Sequence, residues 1–185
     1  MTFSDFINRL IALDIFNLAL KKLGEAPIDG LDTTCLKHRL FFELYHNSRM
    51  YTLCEAYWPF SIHTETVAPS PGGIHYHLPR PCLRIRTIRT ETGHYLPKEE
   101  WRITNRILSY RGTPHKNLTL TYTANEEDVQ KFTPEFIAAF VARLASKLSI
   151  PLLNSKKTAD ELNQEYQNLI EQQNNIITTN TTTHQ

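Results

Sequence analysis

The sequence predicts an α+β protein: a four-helix bundle with a small antiparallel β-sheet insertion between helices 2 and 3. Apolar residues recur at helical spacing in the first 60 residues and again from residue 125, and they alternate with polar residues in between. The 185 residues are enough for one domain with its own core. We therefore expect 1–60 and 125–171 to form the helical domain, 61–124 the insertion, and 172–185 an extended polar C-terminal tail.

The first two helices are predicted over residues 4–23 and from a cap at Asp32 or Thr33 to about residue 56. Gly24 suits the left-handed residue that follows a helix, because glycine tolerates a positive φ. The second helix should stop before the Trp58-Pro59 step, since a residue that precedes proline avoids the helical region.

The middle of the chain predicts several short strands that join in one sheet. Apolar and polar residues alternate at 62–67, 74–78 and 83–86, and further strands are expected at 101–109 and 118–122. Prolines fall between these segments, where a missing backbone donor is tolerated.

Two more helices follow the insertion. Thr133 and Pro134 form a helix start, and Pro151 is expected to end that helix. A capping box at 158–161 predicts the start of the fourth helix. From Gln172 the chain becomes rich in Gln, Asn and Thr, with too little apolar surface to fold alone.

The charge is nearly balanced overall but uneven along the chain. Twenty Lys and Arg face nineteen Asp and Glu, which argues against a strongly basic nucleic-acid module. Residues 80–116 nevertheless hold nine basic and three acidic residues, a net charge of +6. Arg84 and Arg86 should share a strand face that meets a partner or a channel, together with Arg102 and Arg106. A merely solvated strand face explains the same charges equally well.

The fourth helix carries the opposite charge. Residues 158–175 contain four carboxylates and no Lys or Arg. This separation suits side-by-side packing of copies, with the basic insertion of one against the acidic helix of another.

No motif for catalysis is present, so we do not expect an enzyme or a cofactor. His75 and His77 are two residues apart on a predicted strand and are candidate metal ligands together with His63, but a solvated strand face is the favoured interpretation. Cys35, Cys54 and Cys82 are widely spaced, as in reduced thiols rather than a disulfide or zinc framework.

Several motifs together resemble one family. The opening Asn17-Leu18-Ala19-Leu20-Lys21-Lys22-Leu23-Gly24-Glu25-Ala26-Pro27-Ile28 resembles that of phage tail tubular protein A and its relatives, the head-to-tail adaptors of short-tailed phages and prophages. The same order continues through Tyr57-Trp58-Pro59-Phe60, Tyr76-His77-Leu78-Pro79, Cys82-Leu83-Arg84-Ile85, Ile103-Thr104-Asn105, 118–122 and 136–148. The resemblance covers about residues 10–152 and leaves the C-terminal segment without a counterpart.

The resemblance implies a structural virion protein at the head–tail junction, made in the host cytoplasm. Such proteins form a homo-oligomeric ring, commonly of twelve copies, between the portal and the tail nozzle or fibres. DNA would pass through the ring without sequence-specific binding, and no membrane is involved. Because the C-terminal segment of the family often reaches the portal, residues expected to bind the portal are Gln172, Asn174, Asn175, Ile176, Ile177 and Gln185.

Two alternatives stay open. A nucleic-acid-binding protein would use the basic insertion, and its affinity for DNA would fall steeply with salt. A metal-dependent hydrolase would use His63, His75 and His77, and it would carry zinc or manganese when purified.

Overall fold

A computed structural model describes residues 3–30, 35–71, 75–110 and 116–182. The chain divides into two compact units: a helical unit of residues 1–60 and 127–185, and a strand-rich unit of residues 61–126. The helices described are α1 (Phe3–Lys22), α2 (Leu36–Glu55), α3 (Pro134–Leu153) and α4 (Lys156–Thr182). The strands described are β1 (Ile62–Val67), β2 (His75–His77), β3 (Cys82–Thr90), β4 (Trp101–Thr104), β5 (Ile107–Tyr110) and β6 (Leu118–Ala124).

The predicted four-helix bundle with a small sheet insertion is wrong. The strands form two three-stranded antiparallel sheets rather than one, and this strand-rich middle separates the helices into two pairs along the chain. In the helical unit, α3 packs against each of α1, α2 and α4. The helix α3 is therefore buried on several sides at the centre of this unit. In a four-helix bundle, by contrast, each helix would turn one apolar stripe toward a shared axis.

The predicted extended tail is also wrong, because α4 continues through residue 182 without a break. The side-chain amide of Gln173 donates to the Tyr57 carbonyl at 3.0 Å, and that of Asn174 donates to the Glu55 carbonyl at 3.4 Å. These bonds supply donors to carbonyls at the C-terminal end of α2. The polar composition of this segment does not predict a helix. Once α4 has formed, however, each residue added to its end gains one backbone hydrogen bond without a new nucleation step, so the helix continues.

Aromatic side chains connect the elements of the helical unit. Phe16 of α1 packs edge-to-face on Phe41 of α2, with 5.2 Å between ring centroids. The chain of rings continues through Tyr45 to Phe140 and Phe136 of α3. Phe136 is fully buried, and three further rings surround it at 4.7–5.2 Å: Trp58, Phe60 and Phe132.

The ends of α1 and α3 test three sequence predictions. Gly24 ends α1 with φ +71°, as predicted. Thr133 caps α3 as predicted, since its hydroxyl accepts a hydrogen bond from the Phe136 amide at 3.3 Å. Pro151 does not end α3, which continues to a left-handed residue, Asn154, at φ +49°.

The fourth helix starts earlier than the predicted capping box. Ser155 lies at the cap position: its hydroxyl accepts a hydrogen bond from the Thr158 amide at 3.2 Å, and α4 begins at residue 156. Thr158, the predicted cap, is therefore inside the first turn of the helix.

One helix among the described residues, α3, is long and apolar enough by composition to cross a bilayer, with a mean hydropathy of 1.6. Just over half of that apolar stretch, 56%, is buried within the protein. The same composition is expected of a core helix that packs against three neighbours.

The strand-rich unit has the sheet orders β1-β6-β3 and β2-β5-β4. Residues 101–109, predicted as one strand, form a hairpin whose two turn residues are Asn105 and Arg106, at φ +49° and +63°. Both values are unusual for residues with a side chain. The usual sequence signal for such a turn is Asn-Gly, and here Arg106 takes the place of the glycine, so the hairpin was not predicted. The buried core includes Tyr76, Ile88, Leu108, Leu118, Leu120 and Tyr122.

Candidate partner-binding surfaces

The two units carry opposite net charge. The strand-rich unit contains nine Lys and Arg and five Asp and Glu, which gives +4. The remaining residues contain eleven Lys and Arg and fourteen Asp and Glu, which gives −3. The asymmetry predicted from the sequence therefore coincides with the division into units.

Arg84 and Arg86 lie around one threonine of β6. Arg84 is opposite Thr123 in the β3–β6 register, and the Arg86 Nε donates to the Thr123 Oγ1 at 2.8 Å. The register shifts between Ile85 and Thr87, so Arg86 has no register partner on β6, as at a β-bulge. Arg84 is exposed and Arg86 is half-buried. Their role at a partner or channel face stays a prediction.

A cleft of about 500 Å³ opens beside these arginines, and we call it the basic cleft. Its floor includes Ile85 and Trp101, which also pack against the core of the strand-rich unit. The indole Nε1 of Trp101 is buried and has no hydrogen-bond acceptor among the described residues. The lining consists of Leu83, Arg84, Ile85, Arg86, Tyr95, Lys98, Trp101 and Ile103, with no carboxylate.

The other two predicted arginines differ from each other. Arg102 is exposed on β4, opposite Ser109. Arg106 lies in the β4–β5 turn, and its guanidinium donates to the carbonyls of Pro79, Arg80 and Cys82. Its guanidinium holds the turn that leads into β3, so it is engaged with the chain's own backbone.

Two carboxylates of the strand-rich unit are bound by tyrosines. Tyr122 donates its hydroxyl to Glu65 at 3.1 Å, and Tyr110 donates to Glu100 at 3.1 Å. Burial, and then the Glu65 hydrogen bond, raise the pKa of Tyr122 to about 12. Burial and the Glu100 hydrogen bond raise the pKa of Tyr110 as well.

The three candidate histidine ligands lie on two sheets. His63 is on β1, with its ring 6.0 Å from that of Tyr122, whereas His75 and His77 are on β2. The His75 Nδ1 lies 3.2 Å from the Ser109 Oγ. Within the described part of the chain, no three His, Cys, Asp or Glu side chains come together as a metal site would require. The hydrolase alternative therefore gains no support from these residues.

The predicted portal-binding residues lie at the end of α4, except for Gln185, which is outside the described residues. Asn174 bonds to the end of α2, as described above. Gln172, Asn174, Asn175 and Ile176 are exposed, and Ile176 exposes 54% of its surface although it is aliphatic. Ile177 is within the helix, but its side chain is outside the described set.

An apolar groove of about 670 Å³ runs over the helical unit. Leu18, which is 47% exposed, faces it from α1, and Ile137, Ala138 and Val141 line it from α3. The Lys22 Nζ, at the rim, is 2.6 Å from a Glu165 carboxylate oxygen. An exposed apolar surface with a charged rim is typical of a site that a protein partner covers.

Two aromatic residues of the basic cleft, Tyr95 and Trp101, have no signal in the sequence that marks them as part of a site. Lys98 is one of the nine basic residues of 80–116, but its position beside Arg84 and Arg86 is not predictable from the sequence. Only the fold brings this segment beside β3, where the Arg89–Tyr95 bridge and the 2.9 Å bond from the Leu96 amide to the Ile88 carbonyl hold it.

No protein-family model matches this chain, and a search of curated proteins found no match either.

Proposed function

We propose that this chain is a head-to-tail adaptor of a short-tailed phage or prophage. Copies would form a ring, of twelve by the family resemblance, between a portal and a tail nozzle or fibre protein, and DNA would pass through its channel. The proposal rests on the ordered motifs over residues 10–152 and on the structural roles of their residues.

The observation that carries the proposal is that two of the resembling motifs contain side chains that fix the chain where a helix ends, Asn17 and Trp58. Asn17 bonds both backbone groups of Ile28, with the amide Nδ2 donating at 3.0 Å and the Oδ1 accepting at 2.9 Å. The Trp58 indole donates to the Thr52 carbonyl at 2.9 Å, where α2 ends. Both side chains bond to backbone groups where an element ends, so these motif residues have structural roles and are more than a shared composition.

The helical unit offers a surface for self-association. The apolar groove between α1 and α3 exposes Leu18 and Ala138 to solvent. In a ring, each copy covers a surface of its neighbour, and burial of apolar area provides the main favourable free energy. Weak contacts of this kind add up when the ring closes and when several copies engage a portal together.

The end of α4 is the proposed portal contact. Gln172 and Ile176 are one turn apart on one face and both are exposed. An aliphatic residue that is half exposed at the end of a polar helix is a suitable anchor for a groove on a partner.

Negative-stain electron microscopy of the purified chain, alone and mixed with the portal protein from the same genome, tests this proposal. We expect rings or portal-capping density whose top views give the copy number. A chain that stays monomeric and leaves the portal uncapped would overturn the proposal. Ile176→Ser should weaken portal capping, whereas Ile150→Ser, which alters an equally exposed isoleucine on α3, should not.

A specific observation also favours nucleic-acid binding: the basic cleft places Tyr95 and Trp101 beside three cations. Single-stranded nucleic acids bind such surfaces by stacking bases and pairing phosphates. Fluorescence anisotropy of a labelled oligonucleotide, titrated at several salt concentrations, measures this directly. Tight, salt-sensitive binding that Lys98→Glu abolishes would favour this function over the adaptor.

A further inference from the structure

We infer that the basic cleft of one copy binds the outer face of α4 of the next copy, as a head-to-tail contact between identical chains. This inference rests on the proposed function, and it identifies two surfaces through which neighbouring subunits meet.

The basic cleft is suited to a ligand that carries hydrogen-bond acceptors and negative charge. Arg84, Arg86 and Lys98 bring three positive charges to its lining. No carboxylate among the described residues lines the cleft. A carboxylate from a partner supplies the opposite charge and accepts hydrogen bonds from these cations.

The lining also favours a protein over a nucleic acid. Leu83, Ile85 and Ile103 contribute aliphatic surface beside the cations, and Ile103 is 41% exposed. Aliphatic surface packs well against the stems of protein side chains, whereas a sugar–phosphate backbone gains little from it.

The outer face of α4 presents acceptors in a row that we call the acidic stripe: Asp160, Gln164, Asn168 and Glu171. These residues recur at spacings of four, four and three, so they lie along one side of the helix. All four are exposed, and the Gln164 side chain donates to Asn168 at 3.0 Å. Asp160 and Glu171 are eleven residues apart, which places them about 16 Å apart along the helix.

The carboxylates at the two ends of the stripe are available for a partner. Glu165 pairs with Lys22 at 2.6 Å, and Glu161 lies 3.8 Å from Lys157. Asp160 and Glu171 have no cation within ion-pair distance among the described residues. No Lys or Arg follows Lys157 in the sequence, so α4 supplies no cation along the stripe after its first two residues.

Charge complementarity points to a second copy as the occupant. The strand-rich unit carries +4 and the rest of the chain −3, so each copy holds both halves of an attractive pair. Because the cleft and the stripe are different surfaces, two copies joined by one contact still have one free cleft and one free stripe. A contact of this type continues from copy to copy until it closes into a ring.

Two variants that disable opposite halves of the contact test the inference. Arg84→Glu with Lys98→Glu disables the cleft, and Asp160→Asn with Glu171→Gln neutralises the stripe. Lys147→Glu, at an exposed lysine of α3, is the matched control. Circular dichroism and thermal unfolding establish that each variant is folded, and sedimentation velocity measures association with and without the portal protein.

We expect each disabled variant alone to associate at least about tenfold more weakly than the wild type. An equimolar mixture of the two should form dimers and nothing larger, since only one intact cleft and one intact stripe meet in each pair. The control should assemble as the wild type does.

The other outcomes separate the two hypotheses. Wild-type rings that both disabled variants also form would overturn this inference and leave the adaptor function standing. A wild-type chain that stays monomeric with and without the portal would overturn the function and the inference together. An unfolded cleft variant would be replaced by Lys98→Ala alone, which removes one exposed charge, and unchanged assembly of that variant would also count against the contact.

Discussion

The two units differ in what their charged side chains do. In the helical unit, Arg49 is 4% exposed and contacts Glu127 at 3.1 Å, and the Arg143 guanidinium lies 3.9 Å from the centre of the Tyr51 ring. In the strand-rich unit, Arg84, Lys98 and Arg102 are exposed, Arg86 donates to the Thr123 hydroxyl, and Arg106 donates to backbone carbonyls of a turn. Arg49 and Arg143 of the helical unit therefore support packing, whereas Arg84, Lys98 and Arg102 of the strand-rich unit lie at its surface.

The hydrophobic cores differ in the same way. The helical unit is held by contacting aromatic rings from three helices and the segments that flank them. The strand-rich unit has a smaller core of aliphatic side chains and tyrosines, and its turns are fixed by polar contacts. Core substitutions should therefore cost most in the helical unit, and turn substitutions should matter in the strand-rich unit.

The largest effect is expected from Phe136→Ala. Phe136 is fully buried and contacts four other aromatic rings, so its removal leaves a cavity as well as losing burial. We expect the free energy of unfolding to fall by about 3–5 kcal/mol in urea denaturation. The control is Phe42→Ala, because Phe42 is 49% exposed and should cost roughly 1 kcal/mol or less. Equal losses for the two would contradict the aromatic core.

Arg49→Ala tests whether the buried cation is structural. It removes a packed stem and the hydrogen bond to Glu127, so we expect a loss of about 2–3 kcal/mol in the same assay. Lys98→Ala, at an exposed lysine of the basic cleft, should change stability by less than about 0.5 kcal/mol. A larger loss for Lys98 than for Arg49 would reverse the comparison between the units.

Arg106 has a strained backbone, with a positive φ, and a side chain that donates hydrogen bonds to the preceding turn. Arg106→Ala keeps the positive φ and loses the bonds to the 79–82 turn, so we expect a loss of about 1–2 kcal/mol. Arg106→Gly loses the same bonds but relieves the strain, and should be about 1 kcal/mol more stable than the alanine variant. Urea denaturation ranks the three proteins, and a glycine variant less stable than the alanine variant would show that strain is not stored at this turn.

The last effect is confined to alkaline pH. The pKa of Tyr122 is raised from 10.0 to about 12, so the folded state holds the phenolic proton more tightly than the unfolded chain does. The stability from this group is complete below pH 10 and is lost as pH rises from 10 to 12. In thermal unfolding, Tyr122→Phe should reduce the loss of stability between pH 10 and pH 12. A loss equal to that of the wild type would show that Tyr122 does not contribute to it.

Local patterns in the sequence predicted the elements better than their assembly. Thr133 and Gly24 were predictable because each acts on backbone groups a few residues away. Pro151 was not, since a proline near the end of a helix removes one hydrogen bond but is tolerated where the helix is packed. The strand hairpin at Asn105 and Arg106 was missed because the contacts that hold Arg106 come from residues more than twenty positions away.

The candidate surfaces were predictable in charge but not in shape. The arginines and the acidic helix are visible as runs of like charge in the sequence. The basic cleft is not, because Tyr95, Lys98 and Trp101 reach Arg84 only through the pairing of segments far apart in the chain. The helical form of residues 172–182 was hidden for a similar reason, since its bonds to the end of α2 span more than one hundred residues.

The central claim, that the cations of the strand-rich unit join neighbouring copies through α4, is tested most directly by zero-length cross-linking. Copies labelled with ¹⁵N are mixed with unlabelled copies, assembled with the portal protein, and treated with a carbodiimide that joins an amine to a carboxylate in contact. The account predicts cross-links from Lys98 of one copy to Asp160 or Glu171 of another, identified by their mixed isotope masses. Assembled rings in which Lys98 links only to its own copy, or to carboxylates outside α4, would contradict it.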